Sequence, residues 1–462
     1  MAELYSYTVG QLARLIQTRQ VSPVEVTKSV IDRIEKIDGR LKSYVTVSRD
    51  EAMESAKGAE RAIMAGQYVG PLHGIPIALK DNVLTKGILT TYGSKVLSDF
   101  VPTYDATITE RFKQAGAVMV GKTNPHEFAW GVFSPPTKNP WDLERDPGGS
   151  SGGSGAAVAA DLTIAAIGTD TGGSIRIPGS LCGIVGLKQT YGRVSKFGVM
   201  SHSYSLDHAG PMTKNVEDAA LVLQAIAGWD PKDPSTANVP VPDYSRALTG
   251  MISRIRLGIP KEHFYADLDP EVQQAVEKAI KVLQGLGASV EEFSMPHLKY
   301  GLAAILAVEL TSSTTYHARY MKRIAEYQPD VRTLVELGLF MLATDYLKAE
   351  QLRRVLINEA REAFKRVDVM ITPTEPIPAW KTGQATIRIG AKDVSVLDAS
   401  WRNTFPYNLT GLPAITVPCG FSRAGLPIGL QIAGKPFDEE TVLRVAHAYE
   451  LNTDWHSKKP SF

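Results

Sequence analysis

Eight consecutive residues, Gly148-Gly149-Ser150-Ser151-Gly152-Gly153-Ser154-Gly155, are glycine or serine, and Ala156 to Ala160 continue them as an apolar, helix-forming run. Such a tract either turns several backbone N–H groups toward a ligand or lets chain segments approach to backbone contact. A flexible Gly/Ser linker is disfavoured, because the alanine run reads as the start of a buried helix. A phosphate-binding loop needs Lys and then Ser or Thr after the last glycine, where Ala156 and Ala157 stand. Gly148 to Gly152 also fits the G-x-S-x-G nucleophile elbow, but that elbow follows a buried strand. Here Asn139 to Pro147 is polar and bounded by proline.

The surrounding chain alternates helix and strand. Thr107 to Gln114 reads as a helix, Gly116 ends it, and Ala117 to Val120 reads as a buried strand. Asp269-Pro270 opens a helix that Gly285 and Gly287 close before a strand near Val290. Helix, glycine, strand is the grammar of an α/β sheet. Residues 1–65 read as a helical cover. In it Ser22-Pro23-Val24-Glu25 forms a capping box, and the helix it opens is expected to stop at Asp38-Gly39. Residues 66–462 form one large domain, within which 237–370 is a largely helical, substrate-side region. The proline-rich stretch 231–242 is a surface crossing inside it.

Composition narrows the function classes. Lys plus Arg is 50 and Asp plus Glu is 49, so the formal net charge is +1. That balance argues against a protein that binds nucleic acid by broad phosphate neutralisation. Two cysteines in 462 residues make neither a disulfide framework nor a Cys-rich zinc module. The apolar run from Gly301 to Leu310 is too short for a membrane span and contains Glu309. The start, Met-Ala-Glu-Leu-Tyr-Ser-Tyr, lacks a secretory pattern. The expectation is a cytoplasmic globular protein.

A second glycine turn lies 24 positions beyond Ser150. The strand-like Leu162 to Gly168 runs into Thr169-Asp170-Thr171-Gly172-Gly173-Ser174-Ile175-Arg176. The N–H groups of Thr171 to Ser174 converge there as an oxyanion hole does, or the glycines only reverse the chain; the turn alone leaves both open. Lys80 closes the apolar run Gly74 to Leu79. At the end of such a strand a lysine is either desolvated, with a lowered pKa and a free lone pair, or it snorkels to water. The histidines offer no ligand pair: His126-Glu127 begins an H-E-x-x-H motif, but the fifth residue is Trp130.

Together these segments resemble the amidase signature family of serine hydrolases. The match runs through Pro71 to Asn82, Gly148 to Ala160, Gly168 to Arg176, Cys182 to Lys188, Asp207 to Met212, Asp368 to Pro373 and Asn408 to Pro413. The resemblance implies an α/β fold in one large domain, with a central mixed β-sheet flanked by helices on both sides, and no metal or cofactor. It implies a Ser-Ser-Lys triad in which Ser174 is the nucleophile, Ser150 the bridging hydroxyl with a strained or cis peptide bond, and Lys80 the base. Thr171, Gly172, Gly173 and Ser174 then form the oxyanion hole, and an acyl-enzyme forms and is hydrolysed. Asp170 and Arg176 are expected to tie down the loop, and Ser151 and Ser154 to be structural.

Two departures from a glutaminase-like texture shape the substrate expectation. Arg353 stands where a guanidinium for the α-carboxylate of glutamine is expected, but the carboxylate for its α-amino group is replaced by Trp401, with Asp398 three positions too early. The stretch Val132 to Lys138 is also about five residues short of the family pattern. Phe133, Trp401, Phe405 and Tyr407 are then expected to line an apolar pocket. The resulting expectation is a stand-alone amide hydrolase for apolar or aryl amides, with esters and carbamates in reach. It would work as a monomer or homodimer, with a small-molecule substrate and neither nucleic acid nor membrane as partner. The alternatives are a glutamine-hydrolysing A subunit of a tRNA-dependent amidotransferase, and a catalytically idle binding scaffold.

Overall fold

The structure is a computed structural model and describes residues 3–462; Met1 and Ala2, where the secretory reading begins, lie outside the described residues. The capping box forms: the Ser22 hydroxyl accepts from Val24 N, the Glu25 carboxylate accepts from Ser22 N, and Pro23 occupies the first helical position. The helix spans Pro23–Leu41 and passes through Gly39, because the stop is Lys42, in left-handed backbone at φ 58°. A glycine can sit inside a helix at a modest cost, so Gly39 alone is a weaker terminator than the left-handed residue.

Thirteen strands follow in chain order: β1 (Tyr44–Val47), β2 (Pro76–Lys80), β3 (Val118–Thr123), β4 (Ala165–Asp170), β5 (Val185–Lys188), β6 (His208–Thr213), β7 (Arg256–Pro260), β8 (Ser289–Phe293), β9 (Val369–Pro373), β10 (Thr386–Ile389), β11 (Lys392–Ser395), β12 (Ala414–Phe421) and β13 (Pro427–Gly434). Eleven form one sheet in the order β1-β3-β2-β4-β6-β5-β12-β13-β9-β7-β8, and β10 pairs with β11 in a separate hairpin. The sheet is mixed. β2 runs parallel to β3 and β4, β7 runs parallel to β8 and β9, and the other pairs are antiparallel. Every residue of β2, β4, β6 and β13 is buried, as helices on both faces require.

Two stretches differ from the helical reading. Among the described residues up to 65, three α-helices flank β1, which pairs antiparallel with β3 as an edge of the main sheet. The run 237–370 holds four α-helices, Pro270–Gly285, Gly301–His317, Pro329–Leu337 and Ala343–Arg366, but also β7, β8 and the start of β9. Four residues of half-buried, alternating strand in β1 give too short a pattern to stand out beside long helices. No helix among the described residues is long and apolar enough to cross a membrane.

The register of β2 and β4 places the site. Leu79 lies opposite Ile167, so the carboxyl ends of two adjacent parallel strands finish side by side. The helix Gly152–Ala159 covers them, and it seats at backbone contact: a Cβ on Gly153 would fall 2.5 Å from both N and O of Asn124, and one on Gly149 would collide with the Phe133 carbonyl.

Candidate active site

Lys80, at the last position of β2, is fully buried. Its Nζ is 2.8 Å from Ser150 Oγ, 2.9 Å from Ser151 Oγ and 2.9 Å from Thr169 Oγ1. Burial pulls its pKa down to about 7, against the opposing pull of Asp170 and Asp207. The three hydroxyls are not equivalent. Ser151 Oγ donates to the Thr169 carbonyl at 3.0 Å, so its proton is committed and it meets the amine as an acceptor. Thr169 Oγ1 also accepts from Asn82 Nδ2. The Ser150 hydroxyl pairs with Lys80 alone among the described residues, which leaves its proton available to the amine lone pair. The Gly149–Ser150 peptide bond is cis. Ser154 is occupied away from Lys80, with Thr123 Oγ1 and the Ile167 carbonyl.

Ser174 stands across from this cluster; its carbonyl accepts from Ser151 N at 3.3 Å. It lies between β4 and the helix Arg176–Cys182, in the turn where the N–H groups of residues 171–174 have no acceptor among the described residues. Gly173 has φ +143°, backbone that a side chain rarely tolerates, and a Cβ there would collide with Thr404 Oγ1. Thr404 itself donates to the Gly172 carbonyl at 2.6 Å.

The turn is braced by two buried carboxylates. Arg176 donates to both oxygens of Asp170 (3.0 and 2.9 Å), to the Thr404 carbonyl, to Gln431 Oε1 and to Asn408 Oδ1. Burial disfavours the Asp170 charge, but the Arg176 guanidinium holds the carboxyl well below the usual carboxylate range. Asp207 accepts from the Thr171 hydroxyl at 2.6 Å and from the N–H groups of His202 and Ser203.

The residues expected to line one pocket divide. Trp401 lies beside the turn: its Nε1 would be 3.5 Å from a Cβ on Gly172. Phe133 packs its backbone on Gly149 and its ring against Trp380 and His126. Phe405 instead packs on Gly301 and His263, and Tyr407 stacks on Phe264, so both belong to the hydrophobic core. Arg353 donates to the carbonyls of Leu409 and Ser205 and to Ser205 Oγ, tying the helix Ala343–Arg366 to the short helix Phe405–Leu409 and to the loop at Ser205. Asp398 is exposed.

Sequence reasoning missed Thr404, Asp207 and Glu309. Glu309 has no exposed surface, and its Oε1 would be 3.3 Å from a Cβ on Gly172. A lone carboxylate inside the apolar run Gly301 to Leu310 was the available signal, since unpaired acidic residues are rarely buried.

Residues 25–443 match the family described as Amidase. The chain is 44% identical, over 487 aligned positions covering 99% of each chain, to the A subunit of the glutamyl-tRNA(Gln) amidotransferase of Moorella thermoacetica. Among solved structures it is similar to the A subunit of the glutamyl-tRNA(Gln) amidotransferase of Thermotoga maritima (TM-score 0.82, 35% identity, 98% of this chain and 96% of that one). It is also similar to a bacterial aryl acylamidase of the amidase signature enzymes (TM-score 0.90, 26% identity, 98% of both chains). The likeness to amidotransferase subunits along the whole chain overturns the expectation of a stand-alone hydrolase for apolar or aryl amides. The expectation of a small-molecule substrate with no nucleic acid falls with it. A near-zero net charge limits what a chain's own surface does by bulk attraction and does not exclude work on nucleic acid within an assembly. The substitution at position 401 showed where a carboxylate is missing in sequence, not which other segment reaches the same space.

Proposed function

Because this chain belongs to the amidase family, an amide-hydrolysing α/β fold, we propose that it is the glutamine-hydrolysing A subunit of a glutamyl-tRNA(Gln) amidotransferase, working with partner subunits and tRNA in the cytoplasm. The observation that carries the chemistry is the dry amine of Lys80, 2.8 Å from Ser150 beside a turn of unpaired N–H groups. The relatives named above supply the substrate.

In this reading Ser174 Oγ attacks the carboxamide carbon of glutamine. Its proton passes to Ser150 Oγ as the Ser150 proton passes to the neutral amine of Lys80. The N–H groups of residues 171–174 hold the oxygen that becomes negative. The relay then runs backward, and the proton on Lys80 reaches the leaving nitrogen through Ser150, so that ammonia departs and an ester remains on Ser174. Water attacks that ester with the same base, and glutamate leaves. Asp170 and Arg176 keep the turn in place.

The test is ammonia release from L-glutamine by the purified chain, alone and with its partner subunits and glutamyl-tRNA(Gln). Release that depends on Ser174, and is lost in Ser174→Ala, is the expected result. No release under either condition sinks the reading.

A further inference from the structure

The helix Gly301–His317 carries one acidic side chain into the interior, and its one basic neighbour among the described residues is His202. Glu309 is fully buried, and neither of its carboxylate oxygens has a hydrogen-bond partner among the described residues. The nearest basic atom, His202 Nε2, is 3.9 Å from Oε2, beyond hydrogen-bond reach. Burial drives the Glu309 carboxyl upward in pKa, and Asp207 and Asp170 add negative charge around it while His202 opposes the rise. A buried carboxylate left in this condition destabilises the fold unless a positive or N–H-bearing group joins it.

The surroundings indicate which group joins it. Oε1 and the indole nitrogen of Trp401 both border Gly172, within the turn of unpaired N–H groups. Trp130 lies 6.5 Å from Trp401, ring centroid to centroid, and packs edge-on against His202. Its own indole N–H is taken by Ser313, one helical turn beyond Glu309. A buried carboxylate bordering the same glycine as an indole suits a cationic nitrogen, which pairs with the carboxylate and is tolerated by an aromatic neighbour.

We propose that Glu309 receives a positively charged nitrogen on the acyl portion of the substrate and so selects ammonium-bearing amides. That the nitrogen is the α-ammonium of glutamine rests on the function proposed above; selection for a cation does not.

Matched primary amides test this: L-glutamine against glutaramate, which lacks the amino group, and 4-aminobutyramide against butyramide. The wild type is expected to favour the ammonium-bearing member of each pair by about tenfold or more in kcat/KM. In Glu309→Gln that ratio should fall toward one, mainly through a higher KM for the ammonium-bearing amide, and Glu309→Asp should restore part of it. A wild-type ratio near one overturns the proposal, and this comparison decides it even if Glu309→Gln does not fold. Equal losses on both members of each pair in a folded Glu309→Gln also overturn it. Discrimination between 4-aminobutyramide and butyramide without turnover of glutamine would uphold Glu309 as the cation receptor and remove the glutaminase reading.

Discussion

The Thr404 hydroxyl donates to the Gly172 carbonyl across 2.6 Å, from a helix start 232 residues away in sequence. A peptide held by its oxygen presents the N–H of the next residue, Gly173, on the opposite side, since the peptide unit is planar. In the proposed mechanism Thr404 therefore aims an oxyanion donor, acting through the Gly172 peptide.

Thr404→Val removes that hold and nearly preserves shape. It should lower kcat about 10-fold to 100-fold with little change in KM, somewhat less than outright loss of a donor. Equal changes in kcat and KM with a lowered Tm would show a packing role instead.

Activity should follow the protonation of Lys80. The charged amine has no lone pair, so the rate of the chemical step is expected to rise about tenfold per pH unit below pH 7 and to level off above it. The same depression has a stability sign. Between about pH 7 and the ordinary lysine value near ~10.4, the unfolded chain keeps a proton that the folded one has lost, so this lysine's contribution to stability grows with pH. Urea unfolding of wild type and Lys80→Met at neutral and alkaline pH reads the difference. A rate profile flat from pH 6 to 9 with chemistry limiting would exclude Lys80 as the base.

Ser150 and Ser151 both touch Lys80, yet only Ser150 has a proton to pass on. Ser150→Ala should cost roughly 10³-fold or more in kcat, close to the cost of Ser174→Ala, with the double variant little worse. Ser151→Ala should cost far less. Similar losses in the two single serine variants would contradict this proton assignment.

Arg176→Ala would leave Asp170 buried without its cation, at a cost of about 3–5 kcal/mol. The denaturant midpoint should fall accordingly. Because the Asp170 carboxyl is held low, the stability it contributes is present above the ordinary aspartate range and is lost as pH drops through its folded value. A variant with unchanged midpoint and full activity removes Arg176 from the account.

Much of the proposed catalytic half is legible in the sequence. Lys80, the 148–155 tract and the 169–176 turn are local patterns, and the strand ends that carry them follow from apolar runs and glycine breaks. The proposed recognition half is not. Glu309 lies 137 residues from Gly172 in sequence, and only the path of the helix Gly301–His317 brings it there. Phe405 and Tyr407 are aromatic whether they face a pocket or a core, so composition does not separate them from Trp401 and Phe133. Strand β1 is hidden by its length, and Gly39 misleads because the left-handed turn falls at Lys42.

The backbone-to-backbone seating of Gly149 and Gly153 leaves no space for even a methyl group between the serine tract and the backbone of Phe133 and Asn124. The serine tract is therefore closed to variation, and a change of diet must be written elsewhere, in the helix that holds Glu309 and the short helix Val396–Arg402 that carries Trp401. An effort to retarget this scaffold should randomise those two helices and leave the 148–155 tract and the 169–176 turn untouched.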